Sequence, residues 1–212
     1  MTILAIFYLP QATHSQCVQC EGGSASGTNA SIIGLDNTAS GTNSFAGGIN
    51  SVASGYTTFA FGNQAEALGT SSFALGYQAK CTGNYSYVIG RQSEASQNVS
   101  YIFGDLNLAS AGNSYLFGRH LKSASSGTVI IGVGTTTKLT SSRANSLNVG
   151  FNSNIPTFFV GPSMGDGTTG RIAIGNTFYP DTKLHIKADA NEDALVRLES
   201  TRSEERRVGK EC

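Results

Sequence analysis

The sequence predicts an all-β chain folded as a parallel β-solenoid with one coil per 14 residues. Three observations predict it. First, Gly34, Gly48, Gly62, Gly76, Gly90, Gly104, Gly118 and Gly132 follow one another at 14-residue intervals without a slip, and a fixed period of this kind marks a repeat architecture. Second, most of these glycines close an apolar triplet, as in Phe59-Ala60-Phe61, Tyr87-Val88-Ile89, Tyr115-Leu116-Phe117 and Val129-Ile130-Ile131. Third, Gly, Ser, Thr and Asn supply 87 of the 212 residues while charged residues make up only 13%, the composition of short strands separated by many turns.

The same composition excludes several classes. A formal net charge of +0 with few charges leaves no basic footprint for nucleic acid. With 26 Gly but 4 Pro and no Gly-x-y triplet, the chain is not collagen-like. Regularly placed aromatics, 11 Phe and 8 Tyr, argue against disorder. Four cysteines, Cys17, Cys20, Cys81 and Cys212, are too sparse for a disulfide scaffold. Cys17 and Cys20 form a single C-x-x-C with no second pair to complete a zinc site, so they read as a small local disulfide or as two free thiols.

In chain order, residues 1–20 read as a leader. The apolar run Ile3 to Leu9, then Pro10 and small residues, fits the end of a truncated signal peptide or an N-terminal strand, and is too short to span a bilayer. Residues 21–137 are the repeat. Seven residues after the anchor a second glycine recurs as Gly41, Gly55, Gly69 and Gly83, so each coil divides into two half-turns, each punctuated by a residue that tolerates φ > 0, with two strands of about five residues between them. The fifth position after the anchor is small: Ala39, Ala53, Ala67, Cys81, Ala95, Ala109, Ser123 and Thr137. That ladder suits a narrow interior, with Cys81 as a buried stand-in for alanine.

Side chains alternate across a strand. The first and third members of each triplet therefore share one face and the middle member takes the other. Both faces are apolar, and a coil of 14 residues has no chain to spare as a cover. One face is thus left as a continuous apolar stripe, too large for a monomer, and homo-oligomerisation is the remedy. Either face fits the roll interior, with the middle ladder of Ala60, Ala74, Val88, Ile102 and Leu116 the better fit to a narrow one.

Beyond Gly132 the spacing breaks. Residues 138–170 read as an irregular β continuation with a Gly/Thr turn. Residues 171–201 read as connector strands, with charged and apolar residues alternating in Lys183-Leu184-His185-Ile186-Lys187. Residues 202–212 match the translation of a common sequencing-library adaptor at all eleven positions and hold seven charges, against nine in residues 21–137. They are set aside as not native.

The run Ala65-Glu66-Ala67-Leu68-Gly69-Thr70-Ser71-Ser72-Phe73-Ala74-Leu75-Gly76 resembles the head repeat of trimeric autotransporter adhesins, the YadA-like head, over about residues 21–137. The resemblance implies a left-handed parallel β-roll, a homotrimer, and attachment to host matrix or another surface from an extracellular, bacterial cell-surface position. The segment from Ile174 to Lys187 is similar to a connector found in phage tail fibres and bacterial surface proteins. It supports an alternative: a phage tail-fibre segment, carried on the virion, that recognises a bacterial surface.

Catalysis finds little in the residues. His14, His120 and His185 lie in separate segments, and no carboxylates pair. Gly132-Val133-Gly134 is explained by the repeat better than by a dinucleotide loop, since no helix follows. Asp166-Gly167 reads as a turn. No catalytic, cofactor-binding or metal residue, and no cofactor, is expected. A polysaccharide-degrading solenoid enzyme would need acids clustered on one face. Glu21, Asp36, Glu66, Glu94 and Asp105 instead fall at differing repeat positions. The functional elements expected are the anchor column Gly34 to Gly132 and a second copy of the chain; the ligand is not legible.

Overall fold

The computed structural model describes residues 16–197. The run Ile3 to Leu9 with His14, and the segment 202–212 with Cys212, lie outside the described residues. Between them the chain is all β, in one sheet of thirteen strands and one of nine. Each coil lends a strand to both sheets.

In the larger sheet the strands run from Gln16–Glu21 and Ser31–Leu35 to Leu147–Phe151, and each pairs in parallel with the strand one coil on. Phe45 faces Phe59, Ala60 faces Ala74, and Gly104 faces Gly118. The strand Gln16–Glu21 crosses the boundary expected at residue 20 and already pairs with Ser31–Leu35.

The two strands of a coil are unequal. The first has the five residues expected, as in Phe59–Asn63, but the second is only two residues long through most of the repeat, as in Glu66–Ala67. Left-handed backbone residues bracket it. From Gly34 to Gly104 the second residue after the anchor sits at φ near +55°, whether it is Asn50, Gln64, Gln92 or Leu106, and so does the ninth, as Asn43, Thr57, Tyr85 and Val99. Such a conformation costs a non-glycine residue about 1–2 kcal/mol. It persists because each of these N–H groups donates to a carbonyl of the preceding coil, Leu106 to Arg91 at 2.9 Å and Val99 to Asn84 at 2.9 Å.

The two glycine columns therefore differ from expectation. The anchors need glycine twice over: Gly104 has φ +131°, and a Cβ there would lie 1.8 Å from the Gly118 carbonyl oxygen. Gly41, Gly55, Gly69 and Gly83 are not at positive φ. They are glycine because the coils approach too closely, a Cβ on Gly41 falling 1.9 Å from the Gly55 oxygen.

The interior is the middle ladder. Ala46, Ala60, Ala74, Val88, Ile102, Leu116 and Ile130 are fully buried, facing a fully buried column of Ala39, Ala53, Ala67, Cys81, Ala95 and Ala109. The ladder three residues after the anchor changes along the repeat, with buried Ala65 and Ala79 giving way to buried Leu121 and its register partner Leu139.

After Gly132 the solenoid continues for one longer coil. Gly132 pairs with Gly150, 18 residues on, and Ser123 pairs with Ser141. The four extra residues precede the second strand, Leu139–Ser141, so Thr137 lies outside the small-residue ladder and Ser141 takes the place expected for it. Stacking then changes direction. Phe158–Val160 runs antiparallel to Leu147–Phe151, Ile172–Gly175 antiparallel to Phe158–Val160, and Leu184–Lys187 parallel to Ile172–Gly175. Gly161 and Gly175 also lie 14 residues apart, but the strands beside them pair antiparallel, so they do not mark another coil. Phe159, opposite Asn148 and Ala173, carries the buried column across this switch.

Candidate functional site

The outward face of the long strands is where the fold places chemistry that its own interior does not use. Positions one, three and five of each strand point there. Position one is a stack of rings from Phe45 through Phe59, Phe73, Tyr87 and Tyr101 to Tyr115, with centroids 4.8–6.1 Å apart. Identical parallel register imposes that stacking, because each ring sits one strand spacing above the last. Position three reads Ile33, Gly47, Phe61, Leu75, Ile89, Phe103, Phe117 and Ile131. Phe61, Phe103, Phe117 and Ile131 are exposed. Together the two ladders make an apolar stripe that runs the length of the repeat.

Position five is apolar at both ends, Leu35 and Ile49 at one and Val133 and Phe151 at the other; between them it passes through Asn63 and Tyr77 to the charged Arg91, Asp105 and Arg119. Asp105 accepts two hydrogen bonds from the Arg91 guanidinium, at 2.9 and 2.8 Å, and lies 3.6 Å from Arg119. The Arg91 hydrogen bond holds the Asp105 carboxyl below its ordinary range, against a smaller effect of burial, and the Asp105 carboxylate in turn raises Arg91. The pair is solvent-exposed on the arginine side, and pairs of that kind contribute little to stability.

Around the corner from this face lies a polar ridge. Gln92 donates to Gln78 at 3.1 Å and Gln78 to Gln64 at 2.9 Å, while Lys80 pairs with Glu66 at 3.0 Å. Hydrogen bonding to Glu66 is the main cause of the raised Lys80 pKa. Farther along, the longer coil folds back. The Lys138 ammonium donates to the Leu106 carbonyl, and the His120 imidazole meets the Thr135 carbonyl. Burial lowers the Lys138 pKa, Asp105 opposes that shift, and Lys122 adds to it.

The residues singled out from sequence fall as follows. The anchors Gly34 to Gly132 form one column, and their role is to let coils stack. Cys81 is a free, fully buried thiol whose pKa burial pushes up to about 12, which leaves it unreactive. Cys20 is disulfide-bonded. His120 and His185 lie in different parts of the fold, and among the described residues no three His, Cys, Asp or Glu gather as a metal site. Asp166 and Gly167 lie in an exposed turn.

A buried polar ladder was missed. Three residues after the anchor, Asn37 donates to the carbonyls of Ile33 and Gly48, at 2.8 and 2.9 Å, and accepts from the Ser51 N–H at 2.8 Å. Asn107 does the same for Gly118 and Leu121, and Ser93 stands in for it one coil earlier. These side chains satisfy backbone groups at the corner, where the sheet ladder is interrupted. The signal was present, since the third position holds only Asn, Ser or Ala from Asn37 to Asn107.

Residues 53–79 match the YadA head domain repeat, in two copies. The 14-residue parallel coils on either side continue the spacing of that match, so the repeat is similar to a YadA head. No curated protein matches the chain.

Proposed function

We propose that this chain is the non-enzymatic head of an extracellular adhesive fibre, a homotrimer that attaches to a surface or matrix through its repetitive outer faces. The single observation that carries the reading is the apolar stripe of positions one and three. It continues from coil to coil with Phe61, Phe103, Phe117 and Ile131 exposed, and leaving such a surface in water is costly. The match to the YadA head repeat supports a threefold remedy and a location outside the cell. Each copy then keeps its Gln64-Gln78-Gln92 ridge and its Glu66–Lys80 pair on the outside, and three copies multiply a weak contact by effective concentration.

Sedimentation and adhesion tested on one preparation decide the matter. The full chain is expected to sediment as a trimer and to be retained on immobilised extracellular-matrix extract. Phe103→Asp, which places a charge in the stripe, is expected to release monomers that are not retained. A stable, soluble monomer that still adheres overturns the proposal. The similarity of residues 174–187 to fibre connectors favours a second reading, a tail-fibre segment. Retention on purified bacterial surface polysaccharide, and not on matrix, would select it.

A further inference from the structure

The two edges of the outward face change character together along the axis. From Phe45 to Leu147, position one is Phe in three coils, Tyr in three, then Val and Leu. Position five is charged only where position one is tyrosine: Tyr87 with Arg91, Tyr101 with Asp105, and Tyr115 with Arg119. In the other coils Phe45 accompanies Ile49, Phe59 Asn63, Phe73 Tyr77, Val129 Val133 and Leu147 Phe151. Within one chain the two edges have no reason to match. They lie four residues apart on one strand, about 13 Å at 3.3 Å per residue, with position three between them. Among the described residues no hydroxyl of Tyr87, Tyr101 or Tyr115 has a hydrogen-bond partner in its own chain, and Asp105 is engaged by Arg91 and Arg119 instead.

A head-to-tail contact supplies the reason. When three copies turn this face toward a common axis, the sheets form the sides of a triangular prism. Position three then points at the axis. At each corner position one of one copy meets position five of the next, since a threefold contact joins different patches of the same surface. We propose that the copies meet in coil register at these corners, with Tyr87, Tyr101 and Tyr115 of one copy lying against Arg91, Asp105 and Arg119 of the next. The Tyr101 hydroxyl donates to the Asp105 carboxylate of the next copy. The rings of Tyr87 and Tyr115 lie beside guanidinium groups, which favour aromatic faces and hydroxyl acceptors.

A slip of one coil in one direction sets Phe73 against Arg91 and Tyr115 against Val133, and the opposite slip sets Val129 against Arg119. Each strands a polar group beside an apolar one. The three central coils thus fix the register that the apolar coils at either end leave free. This inference rests on the trimer reading above and adds the register and the partner of each edge.

Paired cysteines in the full chain, carrying Cys212→Ser, test it by oxidation, denaturing electrophoresis and parallel sedimentation. Tyr101→Cys with Asp105→Cys, and Tyr115→Cys with Arg119→Cys, which leaves Asp105 intact, are the in-register pairs. Tyr101→Cys with Arg119→Cys is the offset pair. At least tenfold more covalent trimer is expected from each in-register pair than from the offset pair. Tyr101→Cys alone is expected to give no covalent dimer. Equal cross-linking of the offset pair in a particle that sediments as a trimer overturns the register while leaving the trimer standing, and so does dimer from Tyr101→Cys alone. A monomer in the sedimentation run removes the trimer reading, and this inference with it.

Discussion

The regular coils between Ser31 and Val133 and the distal strands between Phe158 and Lys187 belong to one sheet, yet different neighbours discipline their glycines. In the coils, an added Cβ on Gly62, Gly76, Gly90, Gly104 or Gly118 would lie 2.0 Å or less from a carbonyl oxygen one coil on. In the distal turn, a Cβ on Gly165 or Gly167 would meet nothing within 4 Å. Gly175, with the Lys187 oxygen 1.9 Å away across a parallel pair, keeps the rule of the coils, and Gly170 would bring a Cβ 2.2 Å from the Gly161 oxygen. Glycine spacing therefore reports parallel stacking where each glycine answers to a fixed neighbour. Where the glycines serve an exposed turn it reports nothing about stacking.

The largest effect should come from breaking that rule. Gly104→Ala combines φ +131° with a 1.8 Å approach to backbone, and neither coil can yield without disturbing the next. A loss of about 3–5 kcal/mol is expected. Gly167→Ala, at φ +73° in open space, should cost about 1–2 kcal/mol and leave the coils untouched. Equal shifts of the two variants in a denaturant titration would mean that the two regions do not differ in this way.

Next comes the switch between the regions. Phe159→Ala empties a fully buried site flanked by Phe178, whose ring meets it edge-on at 5.7 Å. The cavity should cost about 3–5 kcal/mol. Because coils depend mainly on nearest neighbours, the loss should stay distal. Amide exchange in Ile172–Gly175 and Leu184–Lys187 should accelerate while that of Phe59–Asn63 and Tyr101–Asp105 stays slow. Uniform acceleration would show a single cooperative unit.

The contrast also explains what the sequence made legible. The anchors, the parallel register and the division of Phe59 from Ala60 follow from periods of 14 and of 2, so both could be read. The site of the insertion could not. The interval from Gly132 to Gly150 gives its size, but only the pairing of Leu121 with Leu139 shows that it precedes the second strand and displaces Thr137. The antiparallel turn at Phe158–Val160 was hidden by a coincidental 14-residue spacing. The outward stripe was legible as a need for a partner. Its charged edge was not, because Arg91, Asp105 and Arg119 look like loop polarity until the strand is seen to continue past the anchor. The buried Asn37 and Asn107 were passed over because polar residues beside a turn are ordinarily solvated.

Asn107 gives the third test, of intermediate size. Asn107→Ala removes the bond to the Gly118 oxygen at 2.8 Å and the one from the Leu121 N–H at 2.9 Å, and stranded buried backbone groups cost about 1–3 kcal/mol. Asn107→Ser should recover much of this, since Ser93 bonds the equivalent carbonyl at 3.0 Å. Identical melting of the two variants would show that the side chain fills space and is not there to pair the corner. The distal strands offer no such ladder, so the analogous change Asn176→Ala should fall within about 0.5 kcal/mol.

The smallest effect at neutral pH concerns the interior column itself. Cys81 stands between Ala67 and Ala95 in register, so Cys81→Ala extends a ladder that the fold already uses, and the change should stay within about 1 kcal/mol. Alkaline pH enlarges it with a definite sign. Burial raises the thiol from an ordinary value of 9.0 to about 12, the backbone contacts with Phe73 and Val88 opposing only part of the shift. A pKa higher in the fold than in the unfolded chain means that the folded state keeps a proton the unfolded state loses. The stabilisation is complete below pH 9, declines by about 1.4 kcal/mol per pH unit above it, and is gone near pH 12. Melting curves of the wild-type chain and Cys81→Ala should therefore run together at pH 7 and separate at pH 10, with the wild type the less stable. Curves that stay parallel to pH 10 would place the thiol in contact with water, and the column of Ala39 to Ala109 would not be the sealed interior that the coils otherwise require.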